Sequence, residues 1–423
     1  MSTTKRGTFD ALKVRDYSLL WSGQTVSSMG DGIFTVALAL VTLDVDHHPT
    51  GIALVFAARA IPSVVLALIG GVVVDRVSRR IVMLTSDFLR GATVGVTAVL
   101  LARNDLRLWE LIVMAAVFGA ADSFFSPAST AIMPELLADD QLVAGNALSQ
   151  MSNQLTQGLL GPAVGGFIVA AIGTAWSFGL DAISFLVSAT CLIALRSATR
   201  PAPATTSPMS DAREGLRYVW TRPYLLYTVI GAALANFFGM APLTVLLPLF
   251  VRQTLHGTAF DLGLVYAAGG ATGVLASLYV ARLGSPRRQI TVLWSAYAAS
   301  GLLIAIEAFA PNVLVTGILE AGEVGLMLYG DVLFFSWIQR IVPREFLGRV
   351  SSLIFLFAFS LGPFGILAGG VAASTLGTRH SLLVGGLVSG AICLGVIFVP
   401  GVRDPERETL VAPELLVEER RED

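Results

Sequence analysis

The chain nearly repeats itself, and the repeats lie in apolar stretches long enough to cross a bilayer. Gly30-Asp31-Gly32-Ile33-Phe34-Thr35-Val36 returns 209 places later as Gly239-Met240-Ala241-Pro242-Leu243-Thr244-Val245, keeping glycine, threonine and valine while methionine replaces the acid. Leu54-Val55-Phe56-Ala57-Ala58 returns as Leu264-Val265-Tyr266-Ala267-Ala268, and Phe124-Phe125-Ser126 as Phe334-Phe335-Ser336, both at a shift of 210. Three matches in one order at nearly one shift mean two homologous halves. Membrane halves that flank a site near the bilayer midplane are the architecture of a transporter.

Composition supports the membrane reading. With 54% hydrophobic and 14% charged residues and a mean hydropathy of +0.73, the 423-residue chain is too apolar for an ordinary soluble protein. A helix of about 20 residues spans a hydrocarbon core about 30 Å thick. Twelve such spans are predicted, at 17–42, 51–74, 81–102, 109–133, 147–171, 176–196, 224–249, 260–283, 289–309, 312–339, 350–375 and 381–401. Domain organisation follows: a six-helix bundle over 1–196, a cytoplasmic linker over 197–222, a second six-helix bundle over 223–401, and an acidic tail over 402–423.

Basic residues orient the chain. If both termini are cytoplasmic, 22 of the 28 lysines and arginines fall in cytoplasmic segments, a strong positive-inside bias. Residues 1–16 are charged and polar, so no cleavable signal peptide is expected. In the linker, Asp211 and Glu214 have N-cap and N3 spacing, and Leu216, Val219 and Trp220 share one face. That pattern predicts an amphipathic helix on the cytoplasmic membrane surface. The tail after Pro400 is read as mobile and solvated. Cys191 and Cys393 sit in spans as packing residues, and neither a metal site nor a cofactor is expected.

The loop after span 2 reads Gly71-Val72-Val73-Val74-Asp75-Arg76-Val77-Ser78-Arg79-Arg80. It resembles the Gly-x-x-x-Asp-Arg-x-Gly-Arg-Arg signature between spans 2 and 3 of the major facilitator superfamily, with Ser78 in the place of a glycine. The resemblance implies a conformational latch built from Gly71, Asp75, Arg76, Arg79 and Arg80, to which Asp87 and Arg90, three apart on span 3, attach as a pair. In span 5, Gly158, Gly161, Pro162, Gly165 and Gly166 resemble the Gly-Pro-x-x-Gly-Gly motif of drug:proton antiporters in that superfamily. Small residues let helices approach closely, and proline loosens the backbone at a pivot. Ser28-Met29-Gly30-Asp31, Asp87-Phe88-Leu89-Arg90, Phe124-Phe125-Ser126-Pro127-Ala128 and Met133-Pro134-Glu135-Leu136 are similar to the exporter branch that includes macrolide-efflux, enterobactin-export and Tap-type multidrug proteins. Span 4 departs from many proton-coupled relatives in having no arginine, which leaves the proton relay open.

A charge near the bilayer centre costs roughly 2.5–3.5 kcal/mol, so each needs a partner, a cavity or a function. Asp31, midway along span 1 with Gln24 one heptad earlier, is the first candidate for a protonatable site. Met240 at the matching place in the second half shows that the fold of that helix does not need an acid. Span 10 carries Glu320, Glu323 and Asp331 on one stripe, suited to proton uptake or to attracting a cation, with Arg59 of span 2 an alternative partner for one of them. Asp122 of span 4 is a further candidate. Asp181 and Glu307 fall near the outer boundary, where charges are cheap, and are assigned no role. Phe124, Phe125, Phe334 and Phe335 are placed to stack a flat lipophilic molecule, and Asn236 joins Gln24 and Arg59 among the candidate cavity residues.

The reading is an all-α membrane protein of twelve transmembrane helices in two pseudo-symmetric bundles, the major facilitator fold. It is expected to export amphipathic small molecules such as drugs from a bacterial cytoplasmic membrane in exchange for protons. Its partners would be a lipophilic substrate, protons and membrane lipid, with no nucleic acid, and it would act as a monomer. No Gly-x-x-x-x-Gly-Lys-Ser/Thr loop occurs, which argues against direct ATP hydrolysis, and a transporter rather than an enzyme is expected. The rivals are a dedicated exporter of a siderophore or other secondary metabolite, and a membrane receptor or scaffold without turnover.

Overall fold

The computed structural model describes residues 8–196, 208–283 and 286–406. Within them, twelve helices are long and apolar enough to cross a bilayer. Helix is the form such segments must take, because lipid offers no partner for an open backbone N–H or C=O. Spans 1 to 4 are Arg15–Val45, Pro49–Arg76, Arg79–Ala102 and Leu108–Leu136. Span 5 begins at Asp139, eight residues before the sequence boundary, and ends at Ile172. Its polar first turns are helical without being apolar, so a hydropathy reading misses them. Span 6 is Thr174–Ile193, and span 7 runs from Pro223 to Thr254. Spans 8 to 10 are Ala259–Leu283, Gln289–Glu307 and Val313–Ile341. Span 11 runs from Arg344 to Leu376 with a break at Leu361, and span 12 is Thr378–Phe398.

Prolines account for three irregularities. Span 5 widens to π-helix over Gln154–Leu160, just before Pro162, and span 7 does so over Asn236–Met240, just before Pro242. Span 11 breaks two residues before Pro363. A proline cannot donate to the carbonyl four residues back and its ring crowds that carbonyl, so the ladder slips there. Spans 5 and 6 are joined through Gly173 at φ 93°, and spans 11 and 12 through Gly377 at φ 82°, a left-handed turn at the same place in each repeat.

The chain packs into two compact units. The first holds spans 1–6 together with Val245–Ala271 and Pro311–Gly317, and the second holds Thr206–Thr244, Thr272–Ala310 and the chain from Ile318. The boundaries proposed from sequence follow chain order, whereas packing assigns parts of spans 7, 8 and 10 to the first unit.

In the first unit, spans meet through small residues and stacked rings. A Cβ on Gly119 of span 4 would land on the Arg59 carbonyl of span 2, and Phe34 stacks on Phe118 at 4.7 Å. Lipid is as apolar as leucine, so this close packing holds the spans together. In the second unit, Trp294, Leu293, Leu333, Ile338 and Val350 form a buried core.

The linker helix spans Pro208–Trp220. It therefore starts a turn before Asp211, with proline at its first position, so Asp211 lies inside the helix and is not its cap. Tyr218 and Val219 are buried, with Tyr218 stacked on Phe346 at 4.9 Å, while Leu216 and Trp220 are exposed. Residues 197–207 and the tail from 407 lie outside the described residues.

The first residues after span 12 are docked, contrary to the expectation for the whole tail. Val402 is fully buried in the core of the second unit. Glu406 accepts hydrogen bonds from the Thr291 backbone N–H and hydroxyl, both at 2.8 Å. A helix N-terminus carries orphan N–H groups and partial positive charge, so a carboxylate from a distant segment caps span 9 as a local one would. Glu406→Ala is expected to lower stability by about 1–2 kcal/mol, read as a lower thermal unfolding midpoint in detergent. An unchanged midpoint would remove the clasp.

Candidate functional site

Each unit contains a cavity. That of the first unit, 520 Å³, is lined by Gln24, Asp31, Arg90, Asp122, Phe125 and Gln157 among others, most of them polar. Asp31 is held in span 1 between two glycines. A Cβ on Gly30 would collide with Asp181 and Ser184 of span 6, and one on Gly32 would come within 2.8 Å of the Gly161 Cα of span 5. The Asp31 Oδ1 and the Gln24 Nε2 are buried and have no hydrogen-bond partner in the protein.

Arg90 is the cation of this cavity. Only 2% exposed, it donates to Asp87 at 2.6 Å and to Asp122 at 3.2 Å. Its guanidinium lies 4.1 Å from the Phe125 ring centre and 4.7 Å from that of Phe185, and its field reaches Asp31. Asp87 also accepts from the Ser188 hydroxyl at 2.7 Å. One arginine thus faces three aspartates, Asp31, Asp87 and Asp122, with aromatic rings excluding water from its faces.

Asp87 and Arg90 form the expected pair, both buried, with Ser188 as a further partner of Asp87 and Arg90 on the cavity wall, where its long side chain lets span 3 reach span 4. The cation on this cavity wall comes from span 3. The loop residues have other partners: Arg79 pairs with Glu135 at the end of span 4, and Arg80 donates to the carbonyls of Leu195, at 3.0 Å, and Ile193. Arg80 thereby satisfies the open carbonyls that close span 6. Arg76 is exposed, and the side chains at Gly71 and Asp75 lie outside the described ones.

The glycines of span 5 pack in two directions. Cβ atoms on Gly161 and Gly165 would come within 2.7 Å of Gly32 and 2.9 Å of Ile33 in span 1, and one on Gly166 within 2.8 Å of Gly263 in span 8. Gly158 faces Gly270. Pro162, whose δ-carbon would touch a Cβ at Gly32, completes this contact beside Asp31.

Two expected cavity residues of the first unit lie elsewhere. Arg59 sits over the rings of Phe34 and Phe118, 5.2 and 5.0 Å from their centres. Phe124 packs on the core of Tyr17, Met83 and Ile132 while its neighbour Phe125 faces the cavity. Conversely, Asp181 has no solvent to make its charge cheap. It is fully buried, with one oxygen accepting from Ser184 at 3.2 Å and the other without a partner. The signal was present: Ser177, Asp181, Ser184 and Ser188 recur at helical spacing, and all are buried.

The cavity of the second unit, 360 Å³, is mainly apolar and aromatic. Phe334, Phe335, Phe355 and Phe359 line it with Asn236, Ser300, Glu323 and Asp331. Glu323 accepts from Ser300 at 2.7 Å and Asp331 from the Tyr297 hydroxyl at 2.7 Å. Asn236, in the π-helical turn of span 7, donates to the Ala358 carbonyl at 3.1 Å. Glu320 shares the stripe of the other two acids but lies beyond the cavity, 5% exposed. Glu307, expected at a boundary, is fully buried, and neither of its oxygens has a partner in the protein.

A model of the transmembrane secretion effector family matches residues 6–418. The chain belongs to that family. The family's members are membrane transporters of the major facilitator type, and the chain is 26% identical over 416 residues to the multidrug efflux pump Tap of Mycolicibacterium fortuitum, covering 96% of this chain and 98% of Tap. It is 22% identical to macrolide efflux protein A of Streptococcus pyogenes over 91% of this chain and 95% of that one. Among solved structures, a bacterial homologue of the iron transporter ferroportin, in an inward-facing state, matches at a TM-score of 0.69 and 17% identity, covering 91% of this chain and 99% of that one. That likeness establishes the major facilitator fold. This member of the family is thus a multi-pass bacterial membrane transporter for small molecules.

Proposed function

We propose that this transporter exports amphipathic small molecules from the cytoplasm in exchange for protons, by alternating access, with both termini cytoplasmic. The observation that carries the proposal is Asp31, a buried acid on a cavity wall with an oxygen free of protein partners, within the field of Arg90. A carboxylate so placed gains or loses a proton with no hydrogen bond to break, and its change of charge alters the balance among Arg90, Asp87 and Asp122. An acid that binds a proton in one orientation and releases it in the other couples the gradient to transport. Tap and macrolide efflux protein A, by name efflux pumps, support the direction and the substrate class.

The aromatic cavity of the second unit suits the apolar body of such a substrate, and Asp331 at its wall suits a cationic group. Asp331→Asn is expected to lower transport of ethidium about tenfold, or 1.4 kcal/mol, and that of a neutral compound of similar size much less. An equal loss for both would assign Asp331 to structure or coupling. The whole reading is tested by purified protein in liposomes holding a pH-sensitive dye: ethidium and macrolide additions should drive proton flux, and flux independent of every compound tried would overturn it.

A further inference from the structure

In the second unit, buried acids continue past the cavity. Spans 9 and 10 run antiparallel, and the hydrogen bond from Ser300 to Glu323 fixes their register. From that level, Glu320 lies three residues further along span 10, about 4.5 Å towards its outer end, and Glu307 seven residues further along span 9, about 10.5 Å in the same direction. The three carboxylates form a ladder, each step within the reach of a glutamate side chain; Glu307 feels the charge of Glu323, and Glu320 that of both others. All three are at least nine-tenths buried, and among the described residues no arginine or lysine pairs with any of them.

The lower rung opens on the cavity and the upper rung ends span 9. Glu323 Oε2, Glu320 Oε2 and both oxygens of Glu307 lack any partner in the protein. Groups on packed elements do not supply one: Tyr297 is engaged with Asp331, Ser300 serves the other oxygen of Glu323, Arg379 of span 12 donates to the Ala308 carbonyl, and Cys393 lines the cavity. Buried carboxylates without an ion-pair partner are costly to keep ionised side by side. Protons are the counter-charge small enough to reach such groups.

We propose that Glu307, Glu320 and Glu323 are a second proton-binding site, a carboxylate relay that carries protons between the outer end of span 9 and the cavity of the second unit. This goes beyond the role assigned to Asp31 and rests on the same orientation of the chain. A proton moves from one carboxylic acid to the next carboxylate, with no other bond made or broken.

The test is infrared spectroscopy of the whole protein reconstituted in lipid and mixed rapidly with D2O. The part of the protonated-carboxyl band that disappears in Glu323→Gln reports Glu323, and its rate of deuterium exchange is the readout. Glu307→Gln is expected to slow that exchange at least about tenfold, Glu320→Gln to do the same, and Glu307→Asp to retain most of the rate. Variants are first checked for a native thermal transition, and Glu320→Gln decides the matter if Glu307→Gln misfolds. Exchange at the parent rate in folded variants, or a Glu323 band absent at neutral pH, overturns the relay. The readout uses no substrate, so failure of proton-coupled export appears separately, as ethidium transport without proton flux in the parent protein.

Discussion

Asp31→Asn is expected to bind ethidium with near-parent affinity and to lose gradient-driven export by about 100-fold, equivalent to roughly 2.7 kcal/mol of coupling. The amide has the shape of the acid and holds one charge state permanently, so the orientation cycle no longer exchanges a proton. Structure gives no reason for this variant to misfold. The Oδ1 has no hydrogen bond to lose, and the matching position of the second half is Met240. Counterflow of ethidium in the absence of a gradient should persist, which separates coupling from binding. Undiminished uphill export would remove Asp31 from the mechanism.

Arg90→Met carries the largest expected cost in stability. It leaves Asp87, 1% exposed, with only Ser188 to satisfy its charge. Removing one partner of a buried ion pair costs about 3–5 kcal/mol, a fall in the unfolding midpoint easily read by fluorescence in detergent. Asp87→Asn in the same chain should restore a large share of that loss, because the stranded charge and not the missing arginine is the chief penalty. A single variant as stable as the parent would mean that water reaches Asp87. Export is expected to remain impaired in the double variant, since Asp31 then loses the charge of Arg90.

The spans were legible because lipid imposes a length, a composition and a helical backbone on every one. Internal repetition was legible for the same reason: Gly, Thr and Val at matching places serve the same packing in both halves. Partnerships among acids were not, because they depend on which helix faces meet. Three-residue spacing names Asp87 as a partner of Arg90, but only the meeting of spans 3 and 4 adds Asp122. Asp181 and Glu307 were dismissed by depth, a one-dimensional criterion, while burial is decided by neighbouring helices. Glu406 was hidden among the other acids of the tail, distinguished only by the open N-terminus of span 9 it meets in the folded chain. Nothing in the spacing of Glu135 names Arg79 as its partner.

The two glycines beside Asp31 have a mechanical consequence. Gly30 is in contact with span 6 and Gly32 with span 5, backbone to side chain and backbone to backbone, so the peptide units on both sides of the acid have no slack. A charge appearing on Asp31 cannot be absorbed by a local shift of span 1. Whatever force it exerts passes to three helices as one stiff body, and a spectroscopic label at the exposed Phe167 of span 5 or Leu186 of span 6 will register the protonation state of a residue it does not touch.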